Sequence, residues 1–159
     1  MTDIYKVLKE LNITFIEHEH PAVFTVSEAE KHKGHLDGMK LKNLFLRNKK
    51  GDRHFLFITP AMKEIDLKKL SQISGEKKLG FASPERLKQY LNLTPGSVGP
   101  FGLINDEKHE VIVFLDKEIL NGEKLNFHPN RNTATVQISK ADLLKFLKWT
   151  GNEMLEVEV

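Results

Sequence analysis

One stretch of this chain admits neither a regular helix nor a regular strand, and the rest must be built around it. Thr94 to Leu103 reads T-P-G-S-V-G-P-F-G-L, with three glycines and two prolines in ten residues and no charge. Pro95 and Pro100 fix φ and stiffen the bend. Gly96 and Gly99 are expected to take backbone angles closed to other residues and to let a ligand approach the main chain. An ordinary surface loop of this length is more polar. Two readings stay open on spacing alone. The stretch is either a well-packed connection between a helix and a strand, or a rigid loop whose amide N–H groups hold a carbonyl or an oxyanion.

Composition narrows the chemistry. At 159 residues, a single domain over 1–159 with a substantial core is expected. The absence of cysteine excludes thiolate nucleophiles, disulfides and Cys-ligated zinc or iron–sulfur sites, and it fits a reducing cytosol. His18 and His20 share a strand face near glutamates, but no further ligands stand at a recognisable spacing, so no metal or other cofactor is expected. No apolar run approaches the ~20 residues that span a bilayer, and the first residues lack a secretory pattern, so a cytoplasmic, membrane-free protein is expected. The net charge of +2 is too small for a general nucleic-acid coat. A polyanion would meet local lysine clusters such as Lys40, Lys42, Lys49 and Lys50.

Periodicity supplies the elements. A first helix carries Ile4, Val7, Leu8 and Leu11 on one face, capped by Thr2 and stopped at Asn12. Ile13 to Glu17 reads as a strand. A short helix from Thr25, with Ser27 and Glu30 as a capping box, ends near Lys33 and Gly34. Leu41 to Leu46 and Arg53 to Thr59 form a hairpin across Asn48-Lys-Lys-Gly-Asp52. Further helices start at Asp66, at Ser83-Pro84-Glu85 and at Ser139. Gly75 and Gly151 stop the first and last of these. Leu79 to Ala82, Val111 to Leu115, Leu125 to Pro129, Thr133 to Ile138 and a closing edge strand from Met154 complete an α+β chain, with short helices around a mixed sheet that curls.

Within the first hairpin strand, Lys42 and Asn43 interrupt apolar sequence. Either Lys42 snorkels to the rim and Asn43 begins a turn, or a lysine and an amide point together into a pocket.

Three stretches in series carry a resemblance. They are Lys40-x-Lys42-Asn43-Leu44-Phe45, the loop Thr94–Leu103, and Phe127-His128-Pro129 with Asn132-Thr-Ala-Thr-Val136. Pro21-Ala22 and the Ser-Pro-Glu helix start agree with them. In this order the chain resembles the YbaK/ProX superfamily, free-standing relatives of the editing domain inserted in bacterial prolyl-tRNA synthetases. The nearest branch is the alanyl-specific ProX branch.

The resemblance implies the family fold and the hydrolysis of the ester that joins a wrong amino acid to the 3′ end of tRNA(Pro). Prolyl-tRNA synthetase is a further partner it suggests. It implies that Lys42 anchors the phosphate or ribose of the terminal adenosine, and that Asn43 binds the substrate amine or the attacking water. The loop Gly96, Ser97, Val98, Gly99 and Pro100 would hold the ester carbonyl by main-chain amides, with Phe101 beside it. His128 would shape the amino-acid pocket. Alternatives within the class are cysteine or serine as the amino acid removed. Outside it stands a non-catalytic tRNA- or synthetase-binding module.

Overall fold

The computed structural model describes residues 3–22 and 37–159. The expected short helix from Thr25 to Gly34 lies outside the described residues, and the cap expected at Thr2 is made one residue later, by Asp3. The first helix, α1 (Ile4–Glu10), is capped by the Asp3 carboxylate, which accepts from the Tyr5 amide at 2.9 Å. Ile4, Val7 and Leu8 are buried, as their spacing requires. The first strand is displaced from the expected segment. It is β1 (Ile16–Glu19), because Ile13 folds back to tie off α1, its amide donating to the Leu8 carbonyl at 2.9 Å.

The remaining elements follow the sequence pattern closely. They are β2 (Leu41–Asn48), β3 (His54–Pro60), α2 (Leu67–Ser74), β4 (Leu79–Phe81) and α3 (Pro84–Leu91). A 3-10 helix (Pro100–Asn105) precedes β5 (Val111–Asp116), and a second (Lys117–Asn121) precedes β6 (Lys124–Phe127). The chain closes with β7 (Ala134–Ser139), α4 (Lys140–Thr150) and β8 (Met154–Val157). Three caps read from sequence are made: Asp66 accepts from Lys68 and Lys69, Ser83 from Arg86, and Ser139 from Asp142.

The strands form two sheets, not one. Five strands in the order β4-β2-β3-β5-β8 make a mixed sheet, antiparallel on the β4-β2-β3 side and parallel from β3 to β8. Three antiparallel strands in the order β1-β7-β6 make the second. The expected curl is carried so far that the ladder breaks, leaving one bridge between Met39 and Leu125. Gly38 enters that bridge at φ 104, and a Cβ there would sit 2.8 Å from the Lys124 carbonyl oxygen, so only glycine fits.

β3 is buried on both faces from His54 to Thr59, which explains its near-continuous apolar run. One face meets a large core with α1, α3, α4 and the second sheet, through Leu56 and Ile58. The other packs Phe55 and Phe57 with Leu70 of α2 and Phe114, the Phe55 and Phe114 rings stacked at 5.0 Å.

Candidate active site

α3 delivers the chain to the glycine loop. The loop's first half is a closed turn. The Thr94 carbonyl accepts from the Ser97 amide at 3.1 Å and from the Ser97 hydroxyl at 2.8 Å. Pro95 and Gly96 are the central pair, and Gly96 has φ 94, the positive angle a type II turn requires at this place. Gly99 differs. Its φ of −179 is extended backbone open to any residue, and an added Cβ would have only the His128 carbonyl oxygen near it, at 3.9 Å. Conformational need for glycine is therefore confined to Gly96.

This geometry sorts the residues named for the loop. Ser97 is 2% exposed, and both its amide and its hydroxyl are engaged by Thr94, so neither is available to an oxyanion. Phe101 is 0% exposed, edge-on to Phe127 and Phe146 at 5.8 and 5.3 Å. Its ring belongs to the core and not to a pocket wall. Pro100 is likewise buried and opens the 3-10 helix. Among the described residues, the amides of Gly96, Val98 and Gly99 have no hydrogen-bond partner. They are the donors the loop can offer.

The loop lies against the turn after β6. Gly99 abuts the His128 main chain, and the Asn130 amide nitrogen donates to the Phe101 carbonyl at 3.2 Å. Asn130 holds φ 64 and keeps its side-chain oxygen buried without a partner. The His128 imidazole bonds the Ala134 carbonyl through Nδ1 at 2.9 Å, so Nδ1 carries the proton. Its ring meets His20 edge-on at 6.0 Å, and His20 in turn contacts the Thr135 hydroxyl at 2.9 Å. Among the described residues no three His, Asp or Glu side chains gather as a metal site.

Lys42 and Asn43 do not point together. Strand alternation puts Asn43 on the face of Leu41 and Phe45, toward the large core that includes Phe101. Lys42 takes the face of Leu44, toward α2. Asn43 is mid-strand, paired with Ile58, so it begins no turn, and its side-chain oxygen is buried without a partner. The Lys42 ammonium donates to the Lys63 carbonyl at 2.6 Å. Thr59, its cross-strand neighbour, donates to Asp116 at 2.8 Å. Asp116, 1% exposed, also pairs with the Lys63 ammonium at 2.9 Å. Burial works against the Lys63 charge, but the carboxylates of Glu118 and Asp116 outweigh it and raise the Lys63 pKa.

Sequence reasoning missed Asn130, Lys63 and Asp116. The Pro129-Asn130 pair signals a turn and hence the positive φ. Nothing local signals that the Asn130 amide reaches back to residue 101, or that residues 63 and 116 meet behind Lys42.

Comparison with known proteins shows the family. The aminoacyl-tRNA editing domain family matches residues 20–146, and the chain belongs to that family. Within it the chain is of the YbaK/ProX type, an aminoacyl-tRNA hydrolase. It is 43% identical to the prolyl-tRNA editing protein ProX of Acetoanaerobium sticklandii over 152 residues, 96% of this chain and 93% of that one. It is 39% identical to a prolyl-tRNA synthetase associated domain-containing protein of Danio rerio over 150 residues, 93% of this chain and 81% of that one. Among solved structures, a protein described as a candidate trans-editing enzyme for prolyl-tRNA synthetase superposes with a TM-score of 0.73 at 22% identity, covering 98% of this chain and 94% of that one. A hypothetical protein, APE2540, superposes at 0.76 and 18%, covering 97% of each chain. At those identities the likeness is one of fold. No helix among the described residues is long and apolar enough to cross a membrane.

Proposed function

We propose that this protein acts in trans on mischarged tRNA(Pro), hydrolysing the ester of alanyl-tRNA(Pro). The observation that carries the reading is the set of unpartnered amides at Gly96, Val98 and Gly99, in a loop braced by Asn130 beside His128. The 43% identity to a prolyl-tRNA editing protein supplies the substrate class. Water adds to the ester carbonyl carbon, and the loop amides hold the oxyanion that forms. The carbon–oxygen bond to the terminal ribose then breaks, the ribose oxygen takes the proton, and free amino acid and tRNA leave. An aminoacyl ester is activated already, so no protein nucleophile is required.

Lys42 holds the terminal nucleotide by a phosphate or ribose contact, exchanging the Lys63 carbonyl for it. Asn43 and His128 line the amino-acid side of the site. Discrimination by one methylene in an apolar pocket reaches only ~10 to 200-fold, which is the reason a second, smaller pocket is useful after a synthetase has erred. The protein acts in the cytoplasm, without a metal.

The test is a panel of tRNA(Pro) charged with alanine, cysteine, serine or proline, run on the parent and on Lys42→Ala. Fast loss of alanine with proline spared is expected, and Lys42→Ala should lower that rate at least tenfold with an unchanged melting temperature. Preference for cysteine or serine would move the substrate within the class. No hydrolysis of any ester would leave a binding module.

A further inference from the structure

β2 runs six residues from Lys42 to Asn48, about 20 Å at ~3.3 Å per residue. At its far end lies a groove of about 210 Å³, lined by Arg47, Asn48, Lys49, Lys78, Gly80 and Phe81. Phe81 is 64% exposed although it is an aromatic residue on an edge strand. Arg47 stands opposite Gly80 in the β2–β4 register, where a Cβ would meet nothing within 4 Å. Lys49 and Lys78 are exposed. Among the described residues, no carboxylate pairs with Arg47, Lys49 or Lys78. Asp52 and Glu76 both accept from the Asn48 side-chain amide, and Glu76 also pairs with Arg53. Arg47 itself makes only long contacts, 3.4 Å to the carbonyls of Asn48 and Lys49.

Three unpaired cations beside a bare aromatic ring form the arrangement that tracks a nucleic-acid strand, with phosphates on the cations and a base against the ring. A protein partner would be expected to find apolar neighbours around Phe81, and the groove offers cations instead. The separation also fits. About 20 Å corresponds to roughly six stacked nucleotides at ~3.4 Å per step. A strand whose 3′ end reaches Lys42 therefore extends to the groove.

We propose that this groove binds the RNA strand of the substrate, taking phosphates on Arg47, Lys49 and Lys78 and stacking a base on Phe81. The proposal rests on the reading of the protein as a tRNA hydrolase, with the terminal nucleotide at Lys42. It makes the groove responsible for affinity toward the RNA body and leaves ester chemistry to the loop.

The experiment compares two substrates, alanyl-tRNA(Pro) and the 3′-alanylated trinucleotide CCA, on the parent, on Phe81→Ala and on the double variant Lys49→Glu with Lys78→Glu. Phe81→Ala should raise KM for the tRNA by roughly 5- to 150-fold, the range seen for loss of one stacked base. The charge variant should weaken tRNA binding and flatten its log–log salt dependence by about 1.4 to 1.8, two phosphate contacts at ~0.7 to 0.9 each. Neither should change kcat/KM for the trinucleotide. Unchanged KM for tRNA in both variants, or equal losses on the two substrates, would overturn the proposal. If the parent hydrolyses neither ester, the functional reading has failed, and binding of uncharged tRNA(Pro) by fluorescence anisotropy still decides the groove: weaker binding by both variants supports it, and equal binding rejects it. Phe81→Ala that loses capture by prolyl-tRNA synthetase while binding tRNA normally would make the groove a protein-docking site and likewise reject it.

Discussion

Two asparagines divide this molecule. Asn48, at the hairpin between β2 and β3, has every polar atom engaged. Its side-chain oxygen accepts from the amides of Gly51, Asp52 and Arg53, and its nitrogen donates to Asp52 and Glu76. Asn130, against the glycine loop, donates to Phe101 and leaves its oxygen buried and unpartnered. The surroundings follow the same division. Next to the hairpin, Arg86 bonds the Gly51 carbonyl at 2.9 Å and His54 Nε2 at 3.0 Å, and Tyr90 packs on the His54 ring at 4.0 Å. At the loop, among the described residues, the amides of Gly96, Val98 and Gly99 have no partner. A buried polar group without a partner costs about 1–3 kcal/mol, so a fold keeps such groups only where something else compensates. Asn48 is closed because its side chain holds the turn itself. On the function proposed above, substrate completes the hydrogen bonds of the loop side.

The largest effect that would break this contrast is expected at Gly96. Gly96→Ala puts a side chain at φ 94, strained by about 1–3 kcal/mol, and the turn should relax by swinging its amides. Loss of one oxyanion donor lowers turnover on the order of 100 to 1,000-fold. Single-turnover deacylation should fall by that amount across every mischarged tRNA, while the melting temperature drops by only a few degrees. A drop in stability with turnover intact would make the loop a connection and nothing more.

The closed region is sharpened by pH. Burial, and then the positive charges of Arg86 and Arg47, lower the His54 pKa from 6.5 to about 4. The unfolded chain thus binds a proton between about pH 6.5 and 4 that the folded chain refuses. Stability is fully present above pH 6.5 and declines as pH falls through that window, by up to about 3 kcal/mol. Denaturant midpoints measured from pH 7.5 to 4 should show this decline, and His54→Gln should flatten it. Equal pH slopes in parent and variant would show that the hairpin does not hold its histidine neutral.

The smallest effect is expected at Gly99. Its extended φ and the 3.9 Å clearance to the His128 carbonyl admit a methyl group. Gly99→Ala should melt within a degree or two of the parent. Because the methyl enters the space beside His128, any loss of rate should grow with the size of the esterified amino acid. A uniform loss would instead assign Gly99 to the oxyanion donors alone.

Local signals were legible wherever one residue's chemistry decides its own neighbourhood. Asp66, Ser83 and Ser139 cap because their side chains reach amides two or three positions on, and the α1 burial pattern follows from period alone. The unusual loop at Thr94–Leu103 was equally plain, since no other element tolerates so much glycine and proline. The roles inside it were not. Ser97 and Phe101 look like loop residues in sequence, but one is engaged by Thr94 and the other is held in the core between Phe127 and Phe146. Asn43 and Lys42, adjacent in the chain, fall on opposite faces because a strand alternates.

By itself, then, the sequence determined most of the elements and the family to which the chain belongs, because caps, periods and motifs act over a few residues. The tertiary structure decided that the strands part into two sheets at Met39–Leu125. It also decided that Asn130 braces the loop from 29 residues away, and that Asp116 and Lys63 meet behind Lys42 across 53. Contacts of that separation depend on how the sheets pack, and packing is set by the whole core at once rather than by any segment of it.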